Sequence, residues 1–147
     1  MTSPDLPLSV TLEVRDRCLC LHVQRAARRL ARRFDEALRP FGLTNGQFSL
    51  LMSLNRPEPP RLGDLAPFLG MDRTTLTAAL KPLQKRGLVL SATDKTDARA
   101  RRLALSEEGR KLLVAAVPAW RAAHDAVDAG ITTTSPEALR EALRDLR

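Results

Sequence analysis

The chain has 147 residues, with 24 Lys and Arg against 17 Asp and Glu, for a formal net charge of +7. That length suits one folded unit able to bury a core without disulfides or metals, and the charge favours a polyanion as partner. No apolar run approaches the ~18 residues of a membrane span, and the start "MTSPDLPLSV" has no basic segment leading into an apolar one. A cytoplasmic protein with no membrane partner is therefore expected. Two histidines, no tyrosine, no glycine-rich phosphate loop and no recurring Cys or His pair at metal spacing give catalysis nothing to work with. No enzyme, no cofactor and no metal site is expected.

From Thr11 to Leu38, Val14, Cys18, Leu21, Ala26, Leu30, Phe34 and Leu38 recur at helical spacing, which predicts one long helix. Pro40 and Gly42 end it. Thr44 with Gln47 forms a capping box for a second helix in "TNGQFSLLMSL". "RLGDLAPFLG" predicts a third helix of little more than two turns, limited by Pro67 and closed by Gly70. In "MDRTTLTAALKPLQKRG", Asp72 is the expected N-cap and Leu76, Ala79, Leu80 and Leu83 the buried stripe. "LVLSAT" and "RRLAL" alternate like two antiparallel strands joined by "DKTDARA". Ser106 with Glu107 and Glu108 starts a long helix that reaches Gly130, with a kink expected at Pro118. Ser135 and Pro136 start a terminal helix whose stripe is Leu139, Leu143 and Leu146.

This order predicts a mainly α winged helix-turn-helix (α+β) with long terminal dimerisation helices. Residues 1–147 form a single domain in this reading, with the DNA-binding module at 44–105 and dimerisation helices at 11–40 and 106–147. The helix from Arg73 presents a small polar face suited to a major groove, made of Arg73, Thr74, Thr75, Thr77, Ala78 and Lys81. The hairpin tip is denser in arginine than a solvated turn requires, so Arg99 and Arg101 are expected on the DNA backbone or in the minor groove. Pro82, inside the presumed recognition helix, removes a hydrogen bond to the Ala78 carbonyl at a cost of roughly 3 kcal/mol unless the helix bends.

"GLTNGQFSLLMSL", "LGDLAPFLGMDRTTLTAALKPLQKRGLV" and "DARARRLALSEEG" together resemble the MarR family of bacterial transcription regulators, over nearly the whole chain. The resemblance implies a homodimer that binds a pseudo-palindromic DNA duplex as a repressor and releases it when a small-molecule effector or an oxidant acts. It also implies that Arg99 reaches the minor groove and that Asp97 orients the wing tip.

Arg25, Arg28, Arg29, Arg32 and Arg33 of the first helix are expected to form a solvated face. Cys18 and Cys20, two apart on one helix, diverge by roughly 200° and do not bridge locally. Cys20 is the redox candidate, because the hydroperoxide-sensing branch of the family has a reactive cysteine in a similar place. That branch uses tyrosines to hold the thiolate; none is present here, so burial of both thiols is expected. Cys18 and His22 lack a third ligand for a metal. Trp120 is expected to pack in the long helix. Two alternatives to a ligand-released repressor remain: a thiol-based redox-sensing repressor acting through Cys20, and a winged-helix protein-interaction module.

Overall fold

The computed structural model describes residues 6–146. The chain divides into two compact units, Met1–Arg33 and Phe34–Arg147. The first holds α1 (Leu8–Arg17) and the first part of α2 (Leu19–Leu38). The single long helix expected here is interrupted at Cys18, whose backbone is extended (ψ 100°). The interruption is capped on both sides: Cys18 N donates to Val14 O at 2.9 Å and ends α1, while its Sγ accepts from Leu21 N at 3.4 Å and opens α2. A thiol that caps a helix start has left the helical ladder, which periodicity in the sequence does not register.

The second unit carries the core. A short 3-10 turn at Arg39–Phe41 ends on Gly42, whose φ of 65° favours glycine. Helix α3 (Asn45–Ser53) starts with the expected capping box, Gln47 N donating to Thr44 Oγ1 and Thr44 N to Gln47 Oε1. Asp35, near the end of α2, accepts from both the backbone and the side chain of Asn45, which hold its carboxyl below the usual range. Helices α4 (Leu62–Leu69) and α5 (Arg73–Lys85) form the helix-turn-helix, joined through Gly70 in the left-handed conformation. Strands β1 (Val89–Thr93) and β2 (Arg101–Leu105) pair antiparallel, with Val89 opposite Leu105 and Thr93 opposite Arg101. A bridge between Arg61 and Arg102 ties the start of α4 to this wing.

Helix α6 (Glu107–Ala129) runs on through Pro118, and α7 (Pro136–Arg144) starts at Ser135 as expected. Leu38, Leu50, Leu51, Leu65, Leu76, Leu83 and Leu103 are fully buried, so each of these elements except α7 contributes to one core. Leu76, Leu80 and Leu83 point α5 inward as the sequence pattern requires. Pro82 does not end α5. Pro82 and Ala78 are both exposed, so the Ala78 carbonyl that the proline deprives of a donor belongs to the side of the helix open to solvent.

Candidate nucleic-acid interface

Asp72 accepts from Thr75 N at 2.7 Å, which caps α5 and holds the Asp72 carboxyl below the usual range. The cap fixes the first turn, and with Leu76, Leu80 and Leu83 buried the opposite face is left outside. Arg73, Thr74, Thr75, Thr77, Ala78 and Lys81 are all exposed. Thr77 Oγ1 donates to Arg73 O at 2.8 Å, so its proton is committed to its own helix and it offers lone pairs outward.

The wing tip is a tight turn. Asp97 Oδ1 accepts from Arg99 N at 3.0 Å, and Ala100 N donates to Asp97 O at 3.0 Å. Asp97 therefore orders the backbone around Arg99 and leaves its guanidinium free, with no ion pair for Arg99 among the described residues. Arg101 Nη1 donates to Thr93 Oγ1 across the strands at 3.4 Å. The fold brings the first residue of α5 and the wing together: Arg61, Arg73, Arg99 and Arg101, with Asp64 and Asp97, line a hollow of about 380 Å³. Four arginines against two acids give this concavity a net positive lining, a place suited to phosphate oxygens.

Sequence reasoning missed the root of this wing. Asp94 is buried, with its side chain 3% exposed. Its Oδ2 accepts from Arg61 Nη2 at 2.8 Å and from Thr96 Oγ1 at 2.9 Å, and its Oδ1 accepts from Arg102 Nε. The Arg102 guanidinium first, then the Thr96 hydroxyl, hold the Asp94 carboxyl down to about 2, so it is ionised across the neutral range. The signal available in the sequence was a lone acid at the end of a strand, immediately before a basic turn.

Away from the wing, Trp120 stacks on Phe48 (centroids 5.9 Å, 15°) and contacts Phe34 and His124, as packing in the long helix requires. Two hollows share Phe48, Ser49 and Trp120, one of about 170 Å³ reaching Phe34 and His124 and one of about 300 Å³ reaching Met52 and Phe68. Cys20, expected buried, is exposed, and Cys18 is half-buried. The interruption of the helix also removes the argument that the two thiols diverge along one helix. Gln24 Nε2 donates to Cys20 Sγ at 3.2 Å, a hydrogen-bond donor that the missing tyrosines had seemed to leave absent. The five arginines of α2 are exposed. No group of three or more His, Cys, Asp and Glu suited to a metal occurs among the described residues. No helix among them is long and apolar enough to cross a membrane.

Residues 43–100 match the family model described as the MarR family. The chain is 38% identical to the transcriptional regulator MosR of M. tuberculosis, solved in complex with DNA, with 88% of this chain and 93% of that one covered and a TM-score of 0.81. The chain belongs to the MarR family of transcriptional regulators. It is also similar to the repressor CouR of Rhodococcus jostii RHA1. The CouR structure with a 23-mer DNA duplex is 26% identical, with 97% and 96% of the two chains covered and a TM-score of 0.73. The structure of CouR with p-coumaroyl-CoA is 27% identical, with 88% and 89% covered and a TM-score of 0.71. Among curated relatives, the HTH-type transcriptional regulator SarZ of Staphylococcus epidermidis is 26% identical over 94 residues, and the match spans 64% of its length. The MarR match lies on α3 to the wing, the part of the chain that carries the basic hollow.

Proposed function

We propose that this MarR-family chain is a homodimeric transcription repressor that binds a pseudo-palindromic DNA duplex and releases it on binding a small-molecule effector. The observation that carries the reading is that Arg73, which opens the exposed polar face of α5, and Arg99 of the wing loop, which has no ion pair among the described residues, line one basic hollow. In this reading Thr74, Thr75, Thr77 and Ala78 meet base edges, Arg73 and Lys81 meet phosphates, and Arg99 and Arg101 enter the minor groove beside the site. The structures of MosR and CouR with DNA support the same partner.

Dimerisation rests on apolar side chains that each terminal helix leaves outside. Leu8 is 70% exposed on α1, Leu19 59% on α2 and Leu143 47% on α7. Helices that leave such apolar side chains outside are covered by a second copy in a two-fold dimer. The effector reading rests on the two hollows lined by Trp120 and Phe48, whose aromatic walls suit a planar acid or thioester ligand. The structure of CouR with p-coumaroyl-CoA supports that class.

The experiment is selection of duplexes from a random pool by the purified protein, followed by anisotropy titration against salt. One enriched palindromic sequence with a steep fall of affinity with salt is the expected result. Equal, salt-insensitive retention of all sequences would refute DNA recognition. Light scattering that gives a monomer at micromolar concentration would refute the dimer.

A further inference from the structure

The wing is a lever, and its root is an ion cluster with no outward role in the reading above. Residues Asp94 to Ala100 form the tip loop, closed at its base where Asp94 N donates to Ala100 O at 2.9 Å. The side chain of the same Asp94 faces the opposite way, into the protein, and accepts from groups on three separate pieces of chain. Arg61 belongs to the N-cap of α4, Arg102 to β2 and Thr96 to the tip loop itself. Arg102 in turn donates through Nη1 to Pro59 O at 2.7 Å, and Leu103 N donates to Pro60 O at 3.0 Å. The segment before the helix-turn-helix and the wing are thus joined through one carboxylate shared by two guanidinia.

We propose that Asp94 is the positioning residue for DNA binding: it fixes the angle of the wing against the helix-turn-helix so that Arg99 and the α5 face engage one duplex together. This rests on the DNA-binding reading above and assigns a role within it. The leverage is geometric. Arg99 adjoins Ala100, the residue that closes the loop on Asp94, so its backbone is carried directly by the root that the Asp94 carboxylate holds. A shift of the root moves the Arg99 guanidinium with it, and a hydrogen bond to a fixed oxygen weakens once the donor moves by more than about half an ångström. A neutral side chain at position 94 leaves Arg61 and Arg102 as two like charges with no shared anion between them, which drives the root apart. Arg61 also lines the basic hollow, so its removal would mix a direct contact with a positional effect. Asp94 is buried and has no route to DNA, so it reports position alone.

The test is operator affinity by anisotropy across a salt series for wild type, Asp94→Asn, Arg99→Ala and the double variant, with thermal melts to verify folding. Asp94→Asn is expected to weaken operator binding by roughly 10- to 100-fold and to lower the salt slope by about 1, as loss of a wing contact does. In the Arg99→Ala background the same change should cost less than about threefold, because the contact it positions is already gone. If Asp94→Asn does not fold, Thr96→Val removes one donor from the same carboxylate while keeping both ion pairs, and a severalfold loss with a reduced slope is expected. Wild-type affinity and slope in a folded Asp94→Asn, or losses that multiply fully in the double variant, would overturn the proposal. Failure of the wild type to bind any duplex would refute the underlying DNA-binding reading, and the proposal with it.

Discussion

Replacing Gly109 by Ala sets two opposed effects against each other. Gly109 is the third residue of α6, and in a helix Ala is favoured over Gly by roughly 0.5–1 kcal/mol. A Cβ at this position would stand 2.4 Å from Leu88 O, 3.2 Å from Leu88 C and 3.3 Å from Leu105 Cδ2. The first of these atoms is backbone and cannot rotate away. Leu88 O also accepts from Ser106 N at 3.1 Å, and Ser106 Oγ donates to Gly87 O at 2.6 Å, so moving α6 off the turn strains the hydrogen bonds that seat it there. Overpacking costs about 1–3 kcal/mol, and each weakened hydrogen bond about 0.5–1.5 kcal/mol. After subtracting the propensity gain, Gly109→Ala should destabilise by about 2 kcal/mol, lowering Tm by about 4–8 °C in a domain of this size. Gly63→Ala is the control, because Gly63 lies in α4 with nothing within 4 Å of the added carbon. It should leave Tm unchanged or raise it slightly. Calorimetric melts of the two variants beside wild type decide the matter. An unchanged Tm for Gly109→Ala would mean that α6 does not sit against the Leu88 carbonyl, and the reasoning would fail.

Arg99→Ala should weaken binding to all duplexes and reduce the salt slope by about 1, whereas Thr77→Val should mainly alter which operator is preferred, both read by anisotropy on selected and random DNA. Equal losses on both DNAs for both variants would contradict that division. Asp94, Asp72, Asp35 and Asp128 are all held below their ordinary carboxyl values in the folded state. Their stabilisation is therefore complete above the unfolded value near 4 and is lost as pH falls toward about 2, the folded value of Asp94. Urea midpoints measured from pH 7 to pH 2 should drop over that window, and the drop should be smaller in Asp94→Asn. Cys20→Ser should change stability by less than about 0.5 kcal/mol, as for other exposed positions, and should leave operator release by effector intact. Hydroperoxide-induced loss of binding in the wild type that a thiol reductant reverses, and that Cys20→Ser lacks, would instead establish the thiol switch.

The parts of the fold legible in the sequence are those governed by local rules. The Thr44–Gln47 capping box, the Asp72, Ser106 and Ser135 caps and the Leu76–Leu80–Leu83 stripe need only neighbours three or four residues away, and the structure has each of them. Cys18 was misread because a thiol satisfying a backbone N–H has no compositional signature, and the apolar period carries on across the interruption. At Pro82 the helix continues, and what an interior proline costs depends on whether the orphaned carbonyl faces solvent, which is a property of the face and not of the segment.

The candidate site divides along the same line. Arg99, Arg101 and the threonines of α5 stand out because exposed density of one residue type is visible in a string. Asp94 does not, because its two arginine partners lie 33 residues before it and 8 after it, and no local pattern ties a strand-end acid to Arg61. The same contrast accounts for Gly109. A resemblance of "LSEEG" to a family pattern marks the position, but only the 2.4 Å approach to Leu88 O gives the reason that no Cβ fits there. Residues proposed to meet DNA are thus read from composition, whereas residues proposed to hold the contact elements in place are read only from tertiary geometry. In a winged helix with one short hairpin, the second group decides whether the first can act in concert.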